Sequence, residues 1–422
     1  MMKGLAEKIL TQVMSSSFDE VCITLTENLK NELNIAHNKV SLMRSTESEK
    51  LAIMAIQDNR KVTGSTSTTD PEAVTNLIEE MARDVTTTPP DEANAVAFDQ
   101  RGSFVKGTQK ADLESLVQGA KNILAYRSQT FPSFQIEEGL LDHNLNKTTV
   151  LSSRGCELEL SHGFYGMVLM GSSKDKHGSS SFSYTGGMME SIPPDIQNQF
   201  NIQSMMENSV QETKTCQIKE KFTGDVILMP NAVSSLMRWL FGQLGDFALM
   251  QDTSIYKKAV GEIIADEQLD LYHILEGPGV VPFNNEGFLL EPFHLLEKGQ
   301  LKSLLPSYYG SRKLGLPHQP LGMGWEITSR KTSQEEMIYS VNRGALVGRL
   351  SMGSPAPNGD FSGVIKNSFL LEKGKRTTAL SETMITGNIA QMLKDIVAIS
   401  KESTNFGTGN IPWIQIKGLQ FS

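Results

Sequence analysis

The chain has 422 residues, with 48 acidic and 39 basic side chains, a net charge of −9 and a pI of about 5.4. That length exceeds one ordinary core, so two or three domains are expected, and an acidic surface repels phosphate backbones and anionic lipid, which argues against nucleic acid or membrane as the main partner. Cys22, Cys156 and Cys216 are too few and too scattered for a disulfide framework or a CxxC metal site, and no run of about 18 apolar residues exists, so a soluble, reduced, cytoplasmic protein is expected.

Leu5, Ile9, Leu10 and Val13 recur at helical spacing among Lys3, Glu7, Lys8 and Gln12, which predicts an amphipathic helix and not the apolar core of a secretory signal. Residues 51–57 alternate like a strand, Asp58-Asn59 is a turn pair, and 62–69 is rich in β-branched residues. Asp70 suits an N-cap, Pro71 the first helical position, and Val74, Leu77, Ile78 and Met81 form the apolar stripe. Thr-Thr-Thr-Pro-Pro at 86–90 reads as a linker.

A second block opens at Asp112, an N-cap, with Leu113, Leu116, Val117, Ala120 and Leu124 on one helical face. Strands are expected at 164–170 and 179–184, joined across 174–178. Pro193-Pro194 then breaks the pattern before a Gln/Asn/Met-rich helix ending near Glu212. The third block begins with a strand at 225–229, and Pro230 opens a helix carrying Val233, Leu236, Leu240 and Leu244 on one face. Strands dominate afterwards. They are interrupted by a helix at the capping-box pair Ser333 and Glu336, and by another over 388–399 with Ile389, Met392, Leu393 and Ile396. The basic run at 373–376 reads as a solvated turn. Leu295-Leu296-Glu297-Lys298-Gly299 recurs as Leu370-Leu371-Glu372-Lys373-Gly374, two similar hairpins rather than a solenoid. Without regular βαβ alternation, the expected fold class is α+β. The expected units are an N-terminal α+β domain at 1–105, a middle α+β region at 106–217 and a β-rich C-terminal domain at 218–422.

Readable catalytic chemistry is absent. No two of the seven histidines lie within ten residues and none precedes a glutamate, which excludes HExxH and its longer-spaced variants. His273 with Glu276 and His294 with Glu297 are HxxE pairs, but residues three apart on a strand face opposite ways. There is no GxSxG and no GxxxxGK[ST]; Gly322-Met323-Gly324 lacks the third glycine of a dinucleotide fingerprint. An SxxK such as Ser254 with Lys257 is a chance pattern. Cys156 and Cys216 have nothing local to activate a thiolate.

Three segments of the third block carry a resemblance. Pro282-Phe283-Asn284-Asn285-Glu286-Gly287 is similar to PFDDEG with both aspartates replaced. Leu296-Glu297-Lys298-Gly299-Gln300-Leu301-Lys302-Ser303 followed by Ser307-Tyr308-Tyr309-Gly310-Ser311-Arg312-Lys313-Leu314-Gly315 is similar to enG.lks…Sy.ArklG. Gly387-Asn388-Ile389-Ala390-Gln391-Met392-Leu393-Lys394-Asp395-Ile396 is similar to GN…ml.nI. In order and spacing these resemble the TldD/PmbA family, and within it the TldE (PmbA) branch. The 58–70 region is similar to the family's first domain.

The resemblance implies an α+β N-terminal region and a C-terminal domain of curved antiparallel sheets. In the TldD branch a helix bears HExxxH, completed by a C-terminal cysteine. Here the helix from Pro230 has neither histidine nor glutamate, and no cysteine follows Cys216. The resemblance therefore implies the non-catalytic subunit of a cytoplasmic TldD/TldE-type zinc metallopeptidase acting on unfolded peptides. Its expected partner is a TldD-like catalytic subunit, with no cofactor or metal of its own. The family name "modulator of DNA gyrase" suggests DNA contact, against which the low pI argues. Tyr308, Arg312 and Asn388 are the candidates for lining a cleft or subunit interface. Their plainer roles are a helix cap for Asn388 and an ion pair for Arg312. A stand-alone homodimeric peptide binder is the alternative, and a hydrolase assembled only in three dimensions is a third reading.

Overall fold

In the computed structural model, which describes residues 2–381 and 383–422, helix α1 (Met2–Met14) buries Ala6, Ile9 and Val13 at helical spacing. Strands β1 (Glu20–Ala36) and β2 (Lys39–Gln57) pair antiparallel through His37 and Asn38, and β3 (Arg60–Thr66) follows through Asp58 and Asn59. All four turn residues have positive φ, the backbone that two-residue hairpins require. Helix α2 (Pro71–Asp84) buries Val74, Ile78 and Met81; Asp70 stands at the cap position without a side-chain capping bond. Strand β4 (Arg101–Gly107) and helix α3 (Leu113–Thr130) come next, with Asp112 accepting the Ser115 N–H as the cap. Strands β5 (Phe134–Ser152), β6 (Glu157–Ser173) and β7 (Ser183–Met189) and helix α4 (Ile202–Gln211) complete this half.

These strands form one sheet in the order β3-β2-β1-β5-β6-β4, and β7 pairs the rest of β6. β6 therefore has a divided edge: 157–163 bind β4 in parallel, and 165–171 bind β7 antiparallel. Strands from 1–105 and from 106–217 share this one hydrogen-bonded ladder.

The second half contains β8 (Thr215–Cys216), β9 (Phe222–Leu228), helices α5 (Pro230–Leu244) and α6 (Asp246–Met250), β10 (Leu271–His273), β11 (Phe293–Glu297) and β12 (Gln300–Leu301). Helix α7 (Tyr308–Leu314), β13 (Trp325–Ile327), helix α8 (Gln334–Ser340), β14 (Arg343–Ser351), β15 (Asp360–Glu372) and β16 (Lys375–Leu380) follow. The chain ends with β17 (Thr383–Asn388), helix α9 (Ile389–Lys394), β18 (Ile396–Asn405) and β19 (Asn410–Phe421). Four strands run β12-β11-β10-β13, and eight share a sheet along β14-β9-β19-β17-β15-β16-β8 with β18 on β19. β14 also pairs β15, closing the first five strands of that path into a ring. Helix α5 packs against it, its Val233, Leu236 and Leu240 buried with Val226, Ile414 and Ile416. The architecture is α+β.

Several elements differ from expectation. The helix expected over 388–399 ends at Lys394, because the β-branched residues from Ile396 pair with β19 as a strand. The strand expected at 179–184 begins only at Ser183. Residues 51–57 are the end of a 19-residue strand whose first part is exposed and polar, which hid it from a period-two reading. The capping box of Ser333 and Glu336 is formed. The twin hairpins share one turn: Lys298 and Gly299 at φ 49° and 73°, Lys373 and Gly374 at φ 51° and 75°, in different sheets.

Leu236 is 1% exposed at the centre of this core. Leu236→Ala is expected to cost about 2–5 kcal/mol of unfolding free energy, because the ring of strands cannot collapse into the space; urea denaturation measures it.

Candidate functional site

The outer edge of β7 faces a groove. The Met188 N–H donates to Phe406 O at 3.0 Å, away from β6. By the period of two along the strand, the backbone groups of Gly186 and Tyr184 also point outward. Among the described residues those two have no backbone partner on that side. Gly186 packs closely on β6, where a Cβ would stand 2.3 Å from Met167 O.

The opposite wall is helix α5, which presents Asn231, Ser234, Arg238 and Phe241 to a groove of about 560 Å³. The spacings 3, 4 and 3 put these four on one helical face. Phe241 packs on Trp325 at 4.8 Å between ring centroids, and the Trp325 indole N–H donates to Gly322 O, which fixes the aromatic floor.

The groove continues into a cavity of about 200 Å³ through shared walls at Tyr184, Thr185, Asn231 and Phe406. Glu212, just beyond α4, is 3% exposed there. Its Oε2 accepts from Asn367 Nδ2 at 2.8 Å, whereas its Oε1 is buried without a partner. Burial pushes the Glu212 carboxyl up to about 7, against the opposing pull of the Asn367 hydrogen bond and the Arg376 and Arg349 charges. Asn367 sits inside β15 at φ 52°, a left-handed conformation rare for a strand residue. That kink aims its amide at both Glu212 and Ser183 Oγ, the latter at 2.9 Å. The Arg376 guanidinium lies 3.5 Å over the Phe369 ring and donates to Asn208 and Gln211. Arg376 thus leaves the basic run expected to be a solvated turn and is drawn inward, while Lys373 and Lys375 stay exposed. The Arg349 guanidinium stands 5.8 Å over the Tyr184 ring.

The residues singled out in the sequence lie elsewhere. The Tyr308 N–H donates to Glu286 Oε1, and its ring packs on Phe288 at 4.8 Å, beside a second cavity of about 460 Å³. Arg312 donates to the carbonyl oxygens of Ala93 and Glu92, and Tyr309 and Lys313 both reach Asp91. Helix α7 thereby ties the C-terminal half to the N-terminal one. Arg312 does this through carbonyls, with no carboxylate partner among the described residues. Asn388 caps α9 through the Gln391 N–H and ties Asn358 and Asp360. None of the three lines the groove. Asn284 Oδ1 accepts from the Glu286 and Phe288 N–H groups and holds this loop.

Buried His273 has both ring nitrogens engaged, with Glu291 O and the Gly322 N–H. His162 bonds Pro278 O, and burial lowers its pKa. Burial pushes the Cys22 thiol up to about 12 and Cys156 to about 11, the reverse of an activated nucleophile. On the groove face of α5 the polar groups are an amide, a hydroxyl and a guanidinium, a donor set that does not fit zinc. Among the described residues no three His, Cys, Asp or Glu side chains converge to hold a metal, and no helix is long and apolar enough to cross a membrane.

Glu212, Asn367, Arg349 and Arg376 carried no local signal. They lie between residues 212 and 376 and meet only through the packing of two sheets.

Residues 221–422 match the family model described as the PmbA/TldA metallopeptidase C-terminal domain. The metalloprotease PmbA of Escherichia coli O157:H7 is 27% identical over 205 residues, 46% of this chain and 45% of that protein. A metalloprotease PmbA homolog of Buchnera aphidicola subsp. Acyrthosiphon pisum is 33% identical over 135 residues, 31% of this chain and 30% of that protein. The matched segments thus span less than half the length of either relative. The crystal structure of TldE from Thermococcus kodakarensis has the same fold, with a TM-score of 0.85 at 21% identity over 99% of this chain and 100% of that one.

A carboxyl raised from 4.5 to about 7 on folding keeps its proton in the folded state while the unfolded chain loses it. Stability therefore falls as pH rises between those values and is flat above them. Glu212→Gln removes this term. The variant is expected to match the parent near pH 4.5 and to exceed it by up to about 3 kcal/mol at pH 8, in urea denaturation across that range.

Proposed function

The chain belongs to the TldD/PmbA family, and from that premise we propose that it is a TldE-like, non-catalytic subunit of a cytoplasmic zinc metallopeptidase, with the task of holding unfolded peptide. One observation carries the reading: an open strand edge lies opposite a helix whose groove face offers zinc no suitable donor. An extended peptide can add to the Tyr184–Gly186 edge as a further strand, its backbone bonded irrespective of sequence, with pockets receiving alternate side chains. The edge strands of folded domains are short, bulged, charged or covered and cannot thread into an enclosed groove, so the groove would spare folded proteins.

In this reading the hydrolytic metal belongs to a TldD-like partner. Val40 and Leu42, 49% and 44% exposed on the β1–β2 arm, suit association with another chain: the catalytic partner here, or a second copy in the homodimeric alternative. Three unpaired cysteines accord with a reducing compartment.

The purified chain should be compared with the same chain co-purified beside an HExxxH-bearing relative, on an unstructured peptide. Cleavage only in the pair, abolished by a chelator, is expected; chelator-resistant cleavage by the lone chain overturns the reading. Silence in both, with no complex formed, favours the homodimeric binder. If strand addition holds the peptide, N-methylating its alternate amides is expected to weaken binding at least tenfold in one of the two registers, measured by fluorescence anisotropy.

A further inference from the structure

We propose that the cavity behind Tyr184 receives the C-terminal carboxylate of an extended peptide, with Arg349 as its anchor. The inference rests on the groove reading above and deepens it, since it gives the bound strand a direction and an end.

Arg349 is the first reason. A guanidinium offers five N–H donors in a planar fork. Among the described residues this one has no hydrogen-bond or ion-pair partner, only the Tyr184 ring at 5.8 Å, and its Nε is buried. Arg376 is engaged by Asn208 and Gln211, so the two cations are not equivalent. A half-buried guanidinium on a cavity wall, with its Nε buried and unpartnered, suits a planar anion that accepts two parallel bonds, which a carboxylate does.

Glu212 is the second. Its free Oε1 accepts an N–H, and the last residue of a peptide presents an amide N–H close to its carboxylate. When protonated, the Glu212 carboxyl also donates to an anion instead of repelling it. A phosphate dianion would meet the same acid with more charge and only one uncommitted guanidinium. A peptide ammonium would meet two guanidiniums. The kinked Asn367 fixes the position of Glu212 through Oε2 and leaves Oε1 for the guest.

Continuity and size are the third. The cavity shares Tyr184 and Thr185 with the strand edge, so a peptide paired there runs on into it. At about 200 Å³ it exceeds the roughly 150 Å³ that accepts a benzene ring. Ile227, Leu346 and Trp413 line it for an apolar terminal side chain.

The full chain is titrated with N-acetyl-dialanine acid, its carboxamide and acetate, read by calorimetry or chemical-shift change. The acid is expected to bind at least tenfold more tightly than the amide or acetate. Arg349→Gln is expected to erase the preference, and Arg349→Lys to keep part of it, since charge remains while the fork is lost. No binding of the acid, equal binding of acid and amide, acetate binding as tightly as the acid, or a preference that survives in folded R349Q each overturns the proposal. Should R349Q fail to fold by circular dichroism, the acid-to-amide ratio of the unsubstituted chain decides. A long acetylated peptide ending in an amide separates the two readings: if it binds while the acid preference is absent, the pocket assignment falls and the groove stands.

Discussion

A backbone N–H or C=O at the edge of a sheet has to be paired, covered or left to water, and the site grows from the place where this chain leaves such an edge open. β6 spends one half of its outer side on β4 and the other on β7, so the sheet ends in a short strand. β7 is tied off at Met188 by Phe406 and open at Gly186 and Tyr184. Protection of this edge against edge-to-edge aggregation comes from the opposing helix α5 and its aromatic floor. The same enclosure that guards the edge makes it a groove.

Behind it lies a polar cluster that a core built for stability alone would avoid. A carboxyl buried with an unpartnered oxygen and a guanidinium with a buried, unpartnered Nε are both costly to desolvate. Asn367 adds a left-handed residue within a strand. Three unfavourable features in one place, each oriented by its neighbours, mark the cavity off from the apolar packing around it. By contrast His273, His162 and the two buried cysteines are satisfied or silenced by burial. They are core residues that happen to have reactive side chains.

Much of the architecture was legible because it depends on local chemistry. The stripe of α2, the Asp112 cap, the Ser333–Glu336 box and the paired Lys-Gly turns each arise within about ten residues of chain. The errors have a common cause in tertiary pairing. Residues 396–399 read as helix from their spacing but join β19, and the exposed part of β2 has no buried face to give it a period. The segments carrying the family resemblance were visible, and their residues make local contacts: Asn388 caps a helix, Asn284 turns the loop, Arg312 docks one half on the other, and Tyr308 lines the second cavity. The cavity could not be read, because Glu212 looked like a helix end and Arg376 like part of a solvated turn. Only in the folded packing does Asn367 of β15 meet Glu212, and Arg376 of β16 meet Asn208 of α4.

The two walls of the groove belong to different sheets. β7 is fixed by hydrogen bonds to β6, and α5 by apolar contacts to the C-terminal ring, so neither sheet sets the distance between them. Beside the groove that distance is held by polar contacts between the halves, Met188 with Phe406, Asn367 with Ser183 and Arg376 with Asn208, and away from it by a shared apolar cluster in which Phe283 and Phe288 pack with Ile56, Val96 and Leu158. The aperture therefore lies on the seam of two halves, its width set by the polar fasteners beside it and by the apolar contact that fixes one half on the other.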